Sequence, residues 1–180
     1  MAITIRFISS FAAALLVSFS VVAKNLSINA FFGEFRGIGV SKNRDSIYFG
    51  STVRDFGVLI RPSGAGFSIE WTTVIRRGGN PNRPKTKQKR QKFIFQPTNQ
   101  PGVFRLPNSP DYMSSQPLAW ARVNRNTLNV YLLSISSEGI YSMQKYARTL
   151  TPMGMDFIFT RLRDGEPIRS IKGKLVKHGK

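Results

Sequence analysis

The chain has 180 residues, no cysteine, 27 Lys or Arg against 9 acidic residues, and a formal charge of +18. Disulfide staples and thiol chemistry are excluded, so a domain of this size must be held together by burial of apolar side chains. The charge favours anionic partners and opposes self-association, and it says nothing of the fold.

In chain order, the first stretch reads as an export signal. Met1 to Arg6 carries one positive charge, Phe7 to Val22 is apolar or small, and Val21-Val22-Ala23 suits a cleavage site. That apolar run is short of the roughly 20 residues that span a bilayer as a helix. No cysteine follows the cut, which rules out a lipid attached to an N-terminal Cys. Residues 1–23 are therefore expected to be a signal peptide, and residues 24–180 a single domain in the periplasm or secreted beyond it. Later apolar runs are broken by charge, so no transmembrane span is expected in the mature chain.

After a short polar lead, Asn25 to Ala30, comes FFGEFRGIGVSKN. Its Gly33, Gly37 and Gly39 predict a bend or close backbone approach within a strand. Val53 to Pro62 and Gly66 to Arg77 form the clearest hairpin, with Phe67, Ile69, Trp71, Thr73 and Ile75 on one face of the second arm. Arg76 to Lys92, RRGGNPNRPKTKQKRQK, reads as a basic loop without an apolar anchor. Lys92 to Gln96, Gly102 to Leu106 and Leu118 to Val123 follow as strands, with a polar loop from Pro107 to Gln116. Thr127 to Arg163 is a meander of β-branched and aromatic runs separated by SEG and TPMG. Asp164-Gly165 turns it into a last strand, Pro167 to Val176.

Nine or ten short strands with no helical period argue for an all-β protein. Hairpin succession favours a single antiparallel up-and-down β-barrel of about eight to ten strands, because closure removes edges. At this point the chain resembles the calycin group of lipocalin-like barrels. Gly33-Glu34-Phe35-Arg36-Gly37 stands where lipocalins place a Gly-x-Trp strand, with Phe35 in place of Trp. The resemblance implies an arginine packed over that aromatic ring, either Arg161 or Arg163, and it implies ligand binding.

Chemistry beyond binding finds little footing. The only histidine, His178, sits in a basic tail, and no phosphate loop, metal motif or cofactor signature is present, so no enzyme and no cofactor are expected. The aromatic set Phe35, Phe67, Trp71, Phe93, Phe95, Trp120, Tyr131, Tyr141, Tyr146, Phe157 and Phe159 suits a barrel core. Within it Trp71, Trp120 and Tyr146 combine apolar area with a polar handle that suits a ligand. Arg122 and Arg148, embedded in apolar strands, would then face an anionic head group. The expected function is an exported, non-enzymatic barrel for a small hydrophobic or amphipathic anionic ligand. The alternative is an envelope protein with a solid barrel that contacts anionic lipid or polysaccharide. That surface would consist of Arg76, Arg77, Lys85, Lys87, Lys89, Arg90 and Lys92, with the basic tail. Nucleic acid is not the expected client, because no aromatic residue is interleaved for base stacking.

Overall fold

The computed structural model describes residues 24–43, 52–77, 85–108 and 117–179; the expected signal peptide lies outside them. A 3-10 turn, Ile28–Phe31, precedes ten strands. These are β1 (Gly33–Asn43), β2 (Thr52–Ser63), β3 (Gly66–Arg77), β4 (Lys85–Pro97), β5 (Val103–Arg105), β6 (Leu118–Asn124), β7 (Thr127–Ile135), β8 (Tyr141–Thr151), β9 (Gly154–Arg163) and β10 (Glu166–His178). Every strand pairs antiparallel with its neighbours in sequence, and β1 pairs with β10 to close the barrel. The expected up-and-down barrel is what forms. Among the described residues no helix is long and apolar enough to cross a membrane.

Because side chains alternate across a strand, register decides what lies inside. Cross-strand rows such as Phe35, Val58, Trp71 and Gln91 run round the interior. The lower end holds the β2–β3, β4–β5, β6–β7 and β8–β9 turns, and its interior is apolar: Phe35, Ile60, Phe67, Ile69, Phe95, Phe104, Val123, Leu128, Met155 and Leu175 are all buried. Phe31, fully buried, closes this end from the 3-10 turn. The backbone of Leu26 donates to Arg125 O (2.8 Å), and Asn25 Oδ1 accepts from Arg125 N (2.6 Å), tying the segment to the β6–β7 turn. The lead is thus a plug, anchored by Phe31 with Ile28 and Phe32 packed against the core beside it.

The expected close approach at the β1 glycines is present. A Cβ on Gly37 would lie 1.9 Å from the Lys174 carbonyl oxygen, and Gly39 faces Gly173 across the β1–β10 pair with the Phe56 ring against it. Asp164 and Gly165 both take positive φ (47° and 86°), as a tight hairpin turn requires.

Two expectations need correction. The basic stretch is mostly not a loop: β3 runs to Arg77 and β4 begins at Lys85, leaving residues 78–84 outside the described set. The strand is hard to see in sequence because Lys85 to Lys92 is polar on both faces, and β3 supplies its hydrogen bonds. Trp120, Tyr131 and Tyr141 are not core either. In β6 the inward set is Ala119, Ala121 and Val123, which leaves Trp120 outside, stacked on Tyr131 with ring centres 5.0 Å apart. Tyr141 is exposed at the start of β8.

Candidate binding site

Above the apolar floor the interior changes character. Arg148, on β8, points inward opposite Leu128 and Phe157 and is 1% exposed. Its guanidinium lies 5.1 Å from the centre of the Trp71 ring, 5.4 Å from that of Tyr146 and 5.4 Å from that of Phe157. These rings pack on one another: Trp71 and Tyr146 are 4.6 Å apart, and Tyr146 and Phe159 4.8 Å. Phe93 and Phe56 extend the cage from β4 and β2.

Aromatic faces attract the cation but accept no conventional hydrogen bond. Nε and Nη1 of Arg148 are buried without a hydrogen-bond partner. Burial pulls this guanidinium down to about 10 from its ordinary value, with the nearby Tyr146 offsetting part of the effect. At neutral pH it is still a cation. Burial likewise pushes the Tyr146 phenol up to about 12, so it stays a neutral donor, and its Oη donates to Gln144 Oε1 (2.9 Å). Trp71 Nε1 donates to Gln91 Oε1 (3.0 Å).

The wall beside this cage is incomplete among the described residues. β5 has three residues and pairs with β4 only at Gln96 and Pro97. Higher on β4, Gln91 is exposed although its side chain reaches Trp71 inside. Solvent therefore approaches the cage edge at Gln91 and Phe93.

Toward the upper end the interior becomes polar and cationic. Arg161 on β9 and Arg169 on β10 are direct cross-strand partners, and Arg161 Nε donates to Ser142 Oγ (3.0 Å). Arg54 on β2 has a buried Nε without a partner; burial lowers its pKa, and Arg169 lowers it further. The acidic residues sort the other way. Glu34, Asp55, Glu70 and Asp156 fall on outward strand positions, opposite in phase to Phe35, Phe56, Trp71 and Phe157. Glu138 and Asp164 sit exposed in the turns at the upper end, and Glu166, also exposed, opens β10 opposite Arg163. Among the described residues, no group of three His, Cys, Asp or Glu side chains comes together as a metal site.

Of the five residues expected to meet a ligand, the barrel brings together Trp71, Tyr146 and Arg148. Trp120 and Arg122 share the outer face of β6, where Arg122 is exposed. The small inward residues Ala119 and Ala121 leave room for rings from β3, β8 and β9, which is why the large aromatic of β6 is outside. Phe56, Phe93, Phe157, Arg161 and Gln91 were missed as cage or mouth residues. The inward phase of β9, Phe157-Phe159-Arg161, carried that signal. The arginine implied by the lipocalin resemblance is not over Phe35. Arg161 pairs with Arg169 and Phe35 with Lys177, eight residues apart on β10, about 26 Å. Arg163 lies farther still toward the upper end.

Of the expected anionic-surface residues, Arg90 and Lys92 project outward from β4 and are exposed, and Arg90 Nε lies 3.1 Å from Glu70 Oε1. Lys89, inward by register, is exposed at the gap. Arg76 and Arg77 end β3, and Lys85 and Lys87 open β4; their side chains lie outside the described set. An open cavity of about 680 Å³ lies on the outer wall of β1 to β4, floored by Gly57 and Thr72 and rimmed by Arg36, Glu70 and Arg90.

No protein-family model matches the chain, and no curated protein matches it. Solved structures do match. One is a protein of unknown function from the DUF3598 family of Nostoc punctiforme, with a TM-score of 0.57 and 13% identity over 86% of this chain and 50% of that one. The chain spans half the length of that solved protein, and the likeness is one of fold.

Proposed function

We propose that the protein is an exported, non-enzymatic barrel, lipocalin-like in its manner of binding, that takes a small amphipathic anion into its interior. The observation that carries this reading is the Arg148 guanidinium, buried and charged with two nitrogens lacking acceptors. An unpaired buried ion costs several kcal/mol, which cation–π contacts of about 0.5–2 kcal/mol each offset only in part. A carboxylate or phosphate reaching Arg148 would supply the acceptors and remove that cost, while the rings cover the ligand's apolar part. Export is supported by the charge and apolar pattern of residues 1–23. Binding rather than catalysis is supported by the placement of Glu34, Asp55, Glu70 and Asp156 on the outer face, away from the cage.

The test is calorimetric titration of the purified protein with decanoate and with neutral decanol. Decanoate should bind at least about ten-fold tighter than decanol, and Arg148→Met should abolish that preference. Decanoate affinity unchanged in a folded Arg148→Met protein would sink the reading.

A second reading is favoured by the strand placement of Arg90 and Lys92. Held at fixed spacing on β4, they present cations outward, as Lys172 and Lys174 do on β10 beyond β1 to β3, and such an outer wall suits anionic lipid or polysaccharide.

A further inference from the structure

We infer that the outer wall of β4 to β8 is a docking face for an anionic bilayer, with the stacked Trp120–Tyr131 pair as the element that enters the headgroup layer. This docking face rests on the second reading above, with lipid rather than polysaccharide as the outer partner and the contact extended from β4 across β6, β7 and β8.

Register lays the wall out in levels. Gln96, Arg105, Trp120, Tyr131 and Lys145 form one outward row across five neighbouring strands. Two residues nearer the upper end stand Ile94, Leu118, Leu133 and Met143; Ile94 is exposed and the other three are half-buried. Two residues nearer the lower end, Arg122 is exposed on β6. Apolar, aromatic and cationic side chains therefore lie within about 7 Å of one another along the wall.

Charge selects an anionic partner. β5 to β8 contain no Asp or Glu, so Arg105, Arg122 and Lys145, all exposed, have no carboxylate within their own strands. The wall of β1 to β3, by contrast, holds Glu34, Asp55 and Glu70. Lying along the surface by the β4 to β8 wall, the barrel keeps the upper-end carboxylates Glu138, Asp164 and Glu166 at the edge of the contact. A second copy of this chain is a poor occupant, because the net positive charge opposes self-association.

Ring geometry separates lipid from polysaccharide. The Trp120 and Tyr131 rings are nearly parallel, 10° apart, with centres at 5.0 Å. From the β8 side Lys145 Nζ lies 5.9 Å from the Tyr131 ring centre. Side chains stand roughly perpendicular to a sheet, so rings stacked between strands turn their edges, not their faces, to solvent. A sugar needs a free aromatic face to stack on. A bilayer interface takes Trp and Tyr by their amphipathic edges at headgroup level, with Lys and Arg meeting the phosphates.

The experiment follows tryptophan fluorescence of the purified protein with phosphatidylglycerol vesicles whose acyl chains carry bromine. Trp71 is buried in the cage and supplies a constant background, so quenching reports Trp120. Brominated phosphatidylglycerol should quench, and brominated phosphatidylcholine should not. Trp120→Phe, which keeps a ring in the stack, should abolish the quenching while sedimentation with the vesicles persists. Arg122→Glu, an exposed change that leaves the rings in place, should weaken vesicle affinity about ten-fold or more. Sedimentation without quenching overturns this docking face and leaves the β4 surface standing. Equal quenching by phosphatidylcholine overturns it, since the cations would then contribute nothing, and so does quenching that survives in Trp120→Phe. Retention on an alginate gel that Arg122→Glu abolishes, with no quenching by vesicles, assigns the wall to polysaccharide instead. Failure to sediment with phosphatidylglycerol or bind alginate overturns both this face and the second reading.

Discussion

Arg148 and Tyr146 are neighbours on one strand face, and burial acts on them with opposite consequences for stability. Tyr146 ionises at about 12 in the fold but near 10 when unfolded. Its neutral form therefore contributes stability that is fully present below pH 10 and is lost as pH rises toward 12, roughly 3 kcal/mol in all. Arg148 loses its proton at about 10 in the fold, well below its ordinary value when unfolded. Its burial penalty is fully present below pH 10 and is relieved as pH rises through that value, so stability gained from it offsets the loss from Tyr146. Tyr146→Phe removes only the falling component. Urea midpoints measured across this range should rise with pH in the variant relative to the parent. Parallel curves would show that the phenol is solvated and the cage open to water.

At the scale of the strand, two glycines with the same chemistry have different consequences. A Cβ at Gly37 would overlap the Lys174 carbonyl, whereas one at Gly57 meets nothing within 4 Å and projects into the outer cavity. Gly37→Ala should cost about 3 kcal/mol or more by forcing β1 from β10, and Gly57→Ala should stay within about 0.5 kcal/mol of the parent. Denaturant midpoints of the two variants check the pair. How much of each strand was legible follows the same logic of neighbours. β3 and β9 alternate cleanly, and their inward sets were readable from sequence alone. β6 offered two acceptable faces, Leu118-Trp120-Arg122 and Ala119-Ala121-Val123. The choice between them was made by rings on other strands, which no local pattern records. β4 from Lys85 to Lys92 has no apolar phase, and only the hydrogen-bonding edge of β3 makes it a strand. The cage was half legible for this reason: Trp71, Tyr146 and Arg148 lie on strands with a clear phase, and Trp120 and Arg122 do not.

For the molecule as a whole, the formal charge of +18 includes cations inside the barrel, such as Arg148, and cations on its outer wall, such as Arg90. The two respond differently to salt. Outer cations such as Arg90, Lys92 and Lys172 are exposed, and their attraction to anionic vesicles is screened over about 10 Å at 0.1 M salt. Sedimentation with phosphatidylglycerol vesicles should fall steeply between low and physiological salt. It should weaken further in Arg90→Glu with Lys92→Glu, while decanoate binding inside stays the same. Vesicle binding indifferent to both changes would remove the surface reading and leave the interior one.

The outward phase of the strand carboxylates also bears on how the chain finds its register. A one-residue slip of β9 would carry Asp156 and Ile158 inside and expel Phe157, Phe159 and Arg161, so the error exchanges both hydrophobicity and charge. Alternation in sign thus proofreads the pairing of β8, β9 and β10 during folding. The upper half of β4 lacks this safeguard, since Lys89 and Arg90 present cations to both sides. Its alignment is set lower down, where Phe93 and Phe95 meet Ile69 and Phe67. Those two phenylalanines hold the β3–β4 seam of the barrel in register.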